Sequence, residues 1–341
     1  GTDMNRTDFL QTLREALHML PMDEREDAVN YFGELIEDKM SDNGCTEREA
    51  IDSLGRMDEI VASVMDARTE HDHAVPHTEP VEGANEQTSH GIKTVTVKAA
   101  AVRQIMIRGR NCPIEISRGG SEEIVLRYLQ DEYRQFDFSL EQGELRLIQQ
   151  PQTLFSLFGI RQLFSDKSFI TLTVPAELAA ALDAQTSNSH MQMDGVSVWG
   201  ALRLSTSNSS ISVTSASAKA MDITTSNGRL TAEGLQASGP ITLRTSNARL
   251  EAHQIEAGEA LTLRTSNGKI VFSELNGTGI TMHTSNATVD GSLPHAANHY
   301  SVTSATSNGS NTLKHHAHQG PVPLDVRTSN SAIRVSFTDN A

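Results

Sequence analysis

The chain has 341 residues, 37% hydrophobic and 4% aromatic, with a formal net charge of −15. That length suits two or three domains, and no apolar run reaches the ~20 residues a membrane-spanning helix needs. Its two cysteines, Cys45 and Cys112, exclude a disulfide-rich scaffold.

The charge is carried by one end. Residues 1–91 hold 22 Asp and Glu against 7 Lys and Arg, whereas residues 92–341 hold 21 of each. A head this acidic argues against a nucleic-acid partner, because phosphate recognition draws on clustered cations. The first residues show neither a basic segment nor an apolar signal core, so the expected location is the cytoplasm.

In chain order, residues 1–66 read as a small helical domain. Phe9, Leu10, Leu13, Ala16, Leu17 and Leu20 recur at helical spacing up to Pro21. A second helix starts near Asp23 with the stripe Ala28, Val29, Tyr31, Phe32, Leu35, Ile36 and Met40, and Asp-Asn-Gly at 42–44 stops it. Thr46 and Glu49 form a capping-box pattern, and Ile60, Val61, Val64 and Met65 mark a last short helix. So few residues make a marginal core, which leaves room for partner binding or self-association. The leucine-rich first helix, the Leu-Pro step, the acidic second helix and the ending Leu54, Gly55, Glu59, Ile60 resemble a bacterial signalling module, the HAAS domain. That resemblance implies an adaptor role.

Residues 67–91 lack periodicity and are expected to be a flexible linker, in which His71, His73 and His77 are incidental rather than metal ligands. From 92 to 175 the chain alternates with period two, as in "KTVTVKAA" and "FITLTVPAEL", and reads as strands that start or cap a larger β structure. Phe155, Phe158 and Phe164 concentrate there in one stretch, which is expected either to fold over the strands or to form an apolar patch for a partner or a membrane surface.

Residues 176–341 contain the tripeptide Thr-Ser-Asn eight times, beginning at 186, 206, 225, 245, 265, 284, 306 and 328. A period near 20 is the signature of a repeat architecture. Leu261, Leu263, Thr265 and Asn267 share parity, so if the leucines face a core, the threonine and asparagine are expected to face it too. Apolar residues restart three positions after each Asn, at Met191, Ile211, Leu230, Leu250, Ile270, Val289 and Ile333, which flips the parity and marks a corner. Asn308 is the exception, being followed by Asn311. The residue after each Asn is Gly, Ala or Ser, which implies close passage of neighbouring chain.

These facts predict an all-β solenoid, β-helix-like, with two strands per coil of about 20 residues and a small all-α N-terminal domain. In stacked coils the pairs Thr186 and Asn188, Thr206 and Asn208, Thr225 and Asn227, and Thr245 and Asn247 align at one corner with Thr265 and Asn267, Thr284 and Asn286, Thr306 and Asn308, and Thr328 and Asn330. Each amide then donates to one neighbour and accepts from the other. Hairpins would set equivalent asparagines roughly 9–10 Å apart, too far to bond. The recurring corner and the Val174-Pro175 strand resemble the bacterial toastrack group of β-strand repeats, often labelled adhesins.

No nucleophile elbow, zinc-binding helix, phosphate loop or dinucleotide fingerprint occurs, so no catalytic residue, cofactor or metal is expected. His315, His316 and His318 read as a solvated loop. The outward residues are the candidate site. Arg244, Arg264, His283 and Arg327 precede Thr, while Arg229, Arg249 and Lys269 follow Asn by two. Stacking turns these into two cationic columns, which either form a soluble face balanced by glutamates or dock an anionic protein partner, the acidic head included. The expected function is a non-enzymatic signalling or scaffold protein, which the two resemblances link to PadR-type regulation or envelope stress. The alternative is a surface adhesin binding glycan or host protein. Homo-oligomers are compatible with either.

Overall fold

The computed structural model describes residues 4–73, 79–130, 134–150 and 168–339, with backbone alone at 42–43 and 66–73. Phe155, Phe158, Phe164 and His77 therefore lie outside the described residues. The described residues fall into two compact units: the helical one holds those up to Glu79 together with Gln130, Arg134, Gln135, Gln150 and Ser168, and the strand one holds Pro80–Leu129, Phe136–Gln149 and those from Phe169 onward.

The helical unit contains α1 (Arg6–Ala16), α2 (Met22–Asn43), α3 (Glu47–Asp52) and α4 (Met57–His73). Asn5 caps α1 by accepting from the Asp8 amide, and Thr46 with Glu49 forms the reciprocal capping box of α3. Gly44 ends α2 in the left-handed region, φ 60°, where only a residue without Cβ sits freely. Phe9, Leu13, Leu17, Phe32, Ile36, Ile51, Ile60 and Val64 form one buried core.

The strand unit contains β1 (Ala84–Ser89), β2 (Ile92–Lys98), β3 (Gln104–Arg108), β4 (Ile114–Arg118), β5 (Glu123–Leu129), β6 (Phe136–Glu141), β7 (Glu144–Gln149), β8 (Ile170–Val174), β9 (Ala181–Gln185), β10 (Met191–Asp194), β11 (Leu202–Thr206) and β12 (Ile211–Ala218). It continues with β13 (Met221–Thr225), β14 (Leu230–Ala237), β15 (Ile241–Arg244), β16 (Leu250–Ala257), β17 (Ala260–Arg264), β18 (Ile270–Asn276), β19 (Gly279–His283), β20 (Val289–Leu293), β21 (Tyr300–Ala305), β22 (Val322–Arg327) and β23 (Ile333–Phe337).

Two sheets share the strands between them. One runs β1-β2-β5-β8-β4-β10-β12-β14-β16-β18-β20-β23, the other β21-β22-β19-β17-β15-β13-β11-β9-β3-β7-β6. Neighbours within the repeat pair in parallel and in register, so Leu230, Leu250, Ile270, Val289 and Ile333 form one stacked row. Ile241, Leu261, Ile280 and Leu324 form another. Both rows are buried and belong to one continuous core. The solenoid is thus the observed architecture.

Four features depart from the sequence expectation. First, the segment 67–91 is not one linker: α4 reaches His73, and β1 pairs antiparallel with β2 through a turn at His90 and Gly91, both left-handed. This strand is polar and has no buried residue, so it lacks the apolar alternation that marks a strand in sequence.

Second, the chain bends in or just after β10, β12, β14, β16 and β18, the later strands of five successive coils. Gly195, Ser215, Gly234, Gln254 and Glu274 all have positive φ. Pairing skips from Thr214↔Glu233 to Ala216↔Leu235 around them, so burial passes from Leu230 and Ala232 to Leu235 and Ala237 with a change of parity. A left-handed residue costs most side chains about 1–2 kcal/mol, and in-register stacking of five of them holds it here.

Third, the asparagines do not face the core. Every Thr-Ser-Asn asparagine is exposed, although its threonine is buried except at half-buried Thr306. The extended strand ends at or just before Thr, and strict alternation holds only along a pleated strand.

Fourth, the coils do not stack in chain order at the end. β22 inserts between β19 and β21, and β23 pairs with β20. The coil carrying Thr306 is therefore outermost, which accounts for the exceptional Asn311: it bridges Ile333 and accepts from the Leu313 amide instead of continuing an apolar row.

Candidate functional site

Each element of the tripeptide has its own task at the corner. The Thr245 hydroxyl donates to the Gly228 carbonyl at 2.8 Å, and the equivalent bond recurs from Thr225 to Ser209, from Thr284 to Gly268 and from Thr328 to Ala287. The acceptor is always the residue after the Asn of the coil beneath. The Ser246 carbonyl accepts two amides, from Ser266 at 3.0 Å and Asn267 at 2.8 Å. The asparagine amides form an unbroken chain at 2.5–2.8 Å in the order Asn111, 188, 208, 227, 247, 267, 286, 330, 308. Asn111 opens it without any Thr-Ser before it. Its sequence signal was the restart at Ile114 three residues later; its φ of 49° lies in the left-handed region that Asn tolerates.

The residue after Asn meets the coil beneath at close range. A Cβ added at Gly268 would lie 1.6 Å from the Ala248 carbonyl oxygen, and one at Gly228 equally close to that of Ser209. The threonine and asparagine side chains are thus consumed by architecture, and the side chains left for a ligand are the serine between them and the residues flanking the tripeptide.

The two cationic columns prove unequal. In one, Arg229 and Arg249 both engage Glu251, at 2.6 and 2.8 Å, and Lys269 engages Asp290 at 3.3 Å. Partial burial raises the Glu251 carboxyl pKa, but the Arg229 hydrogen bond and the nearby charges of Arg229, Arg249 and His253 outweigh it and hold it below the usual range. Each cation of this column is ion-paired within the protein.

In the other, Arg244, Arg264, His283 and Arg327 stand in strict register on β15, β17, β19 and β22. Asp325 serves the far end, 2.8 Å from Arg327 Nε and 3.4 Å from His283 Nε2, the latter without hydrogen-bond alignment. Arg244 and Arg264 are exposed and have no ion pair among the described residues. Together with Ser246, Ser266 and Ser285, the column lines a groove of about 550 Å³. Its threonine hydroxyls are already committed to carbonyls, so its chemistry is guanidinium and serine hydroxyl: donors without a carboxylate of their own at the Arg244 end.

No serine hydroxyl hydrogen-bonds His283 among the described residues, so no nucleophile–base pair is assembled there. No three His, Cys, Asp or Glu side chains converge as a metal site among the described residues, and His315 and His318 are exposed. No helix among them is long and apolar enough to cross a membrane. Trp199, the sole tryptophan, is 65% exposed on a turn away from the Thr-Ser-Asn corner, a feature the repeat pattern did not single out.

The fold, the corner and the register agree with one sequence family. The Toastrack DUF4097 family model matches residues 102–336. The chain belongs to this family. The match leaves the helical unit outside it. Two solved structures align with most of the chain at very low identity: a candidate cell adhesion protein from Clostridium sporogenes and a candidate adhesin from Bacteroides fragilis. The first is 8% identical, covers 74% of this chain and 100% of its own, and has a TM-score of 0.29. The second is 12% identical, covers 72% and 98%, and has a TM-score of 0.28. A search of curated proteins gives no match.

Proposed function

We propose that this toastrack protein is a non-enzymatic scaffold that holds an anionic partner in the groove of Arg244, Arg264, His283 and Arg327. The observation that carries the reading is the contrast between the columns: one is closed by Glu251 and Asp290, the other leaves Arg244 and Arg264 open. A solenoid is suited to such a task because hydrogen-bonded rungs fix the spacing of outward charges, so little ordering cost falls on binding. The helical unit offers a second contact in this reading, an adaptor surface at the groove of about 550 Å³ lined by Met4, Phe9, Ile51 and Met57. A signalling role linked to PadR-type regulation or envelope stress rests on the HAAS and toastrack resemblances alone.

The test uses the full chain as bait in native extract, with Arg244→Glu/Arg264→Glu as the comparison. A partner retained by the parent, lost from the variant and released by raised salt supports the reading. Identical capture by both proteins overturns it.

A further inference from the structure

The spacing of the open column restricts what form an acidic partner can take. Stacked strands are ~4.8 Å apart, so the three steps from Arg244 to Arg327 span about 14 Å along the solenoid axis. An α-helix laid along that axis repeats each face every ~5.4 Å, giving about 16 Å over three turns. The difference lies within the reach of flexible arginine side chains. An extended strand presents one face every ~6.7 Å, about 20 Å over three steps, and falls out of phase after the first.

The lateral dimension agrees. The groove is lined by Arg244, Arg264, His283 and Arg327 and, two residues further along three of the rungs, by the serines at 246, 266 and 285. A carboxylate entering it finds a guanidinium fork and a hydroxyl donor at the Arg244 and Arg264 rungs. Residues 92–341 carry 21 acidic and 21 basic side chains, so this part of the chain offers no net cationic field for a long polyanion, which needs many cations to be held. A short helix with one acidic face meets only the local field.

We propose that the groove is a docking site for an α-helix of a partner protein that carries carboxylates at each turn along one face, lying along the solenoid axis. This rests on the proposed function and specifies the partner's form. The carboxylate pattern is i, i+4, i+7 and i+11, in phase with the rungs: the first two acids meet the open Arg244 and Arg264, and the later two meet His283 and Arg327 in competition with Asp325.

The experiment is fluorescence anisotropy with the full chain and labelled peptides of about 20 residues, long enough for four helical turns. One is a stapled helix with the acidic stripe. The second is a stapled helix of the same composition with its acids dispersed around the axis. The third has the same acids and two central prolines that prevent a helix. Heparin is the polyanion control. The expected result is that the striped helix binds at least ten-fold more tightly than either isomer, and that Arg244→Glu/Arg264→Glu removes this preference. Equal affinity for the three peptides, each lost in the variant, overturns the helical form and leaves an anion-binding groove. Tighter binding of heparin through the same arginines likewise overturns it in favour of a polysaccharide. Binding of no probe, or binding indifferent to the arginines, overturns the groove as well.

Discussion

Asn330 Nδ2 donates to Asn286 Oδ1 at 2.6 Å across 44 positions of sequence, while Asn308, which lies between them in the chain, sits beyond Asn330 at the end of the row. The corner row therefore continues without interruption although the chain crosses over itself. Identical corner chemistry makes that exchange of order neutral: each coil offers the same donor and acceptor to whichever coil lies next.

An asparagine inside the row makes two amide bonds and a terminal one makes one. Asn247→Ala is expected to cost about twice as much as Asn308→Ala, with each lost bond contributing about 0.5–1.5 kcal/mol. Urea denaturation of the two variants checks it. Equal costs would show that the amide chain adds nothing to stability.

The position after Asn is limited by the carbonyl beneath it. Gly268→Ala places a methyl 1.6 Å from the Ala248 oxygen, so the coil must shift, at an expected cost of about 1–3 kcal/mol or more. Ala248→Gly removes a tolerated methyl and costs about 0.5–1 kcal/mol through backbone entropy. Thermal unfolding of the pair should show the first as the larger loss.

Thr245 is fully buried, with its hydroxyl on the Gly228 carbonyl. Thr245→Val keeps the shape and leaves that carbonyl without its donor, for an expected loss of about 1–3 kcal/mol. A stability unchanged within error would mean that the hydroxyl bond contributes nothing.

Glu251 ties down the closed column, and its carboxyl pKa is lowered in the folded state. A lowered pKa means that the folded state holds its proton less tightly than the unfolded chain. The stabilisation is therefore present above the ordinary carboxylate range, about pH 4.3, and is lost as pH falls through the folded value. Glu251→Gln is expected to cost up to about 1 kcal/mol at pH 7, because Arg229 and Arg249 are half exposed, and less as pH drops below 4. An undiminished difference in acid would remove the ion pairs as its cause.

Much of this molecule is legible in its sequence because the repeat states the same local problem eight times. The period, the buried Thr, the amide chain and the small residue after Asn follow from pattern and parity. Parity fails where the strand does: past Thr265 the backbone turns, so Asn267 points outward to bond along the corner. The bend at Ser215, Gln254 and Glu274 has no shared residue type, since stacking rather than local preference holds it. The order of the last coils depends on which neighbour each one meets, and only the odd Asn311 hinted at it. The inequality of the two cationic columns was likewise invisible, because it depends on which rung Glu251 and Asp290 occupy relative to Arg229, Arg249 and Lys269.

The central claim is that binding occurs at one column and not the other. Amide hydrogen exchange of the full chain, with and without a saturating striped acidic helix, tests it most directly. The account predicts slowed exchange around Arg244, Arg264, His283 and Arg327 and no change around Arg229, Arg249 and Lys269. Protection centred on the second column, or absent from the first while the peptide is bound, would contradict it.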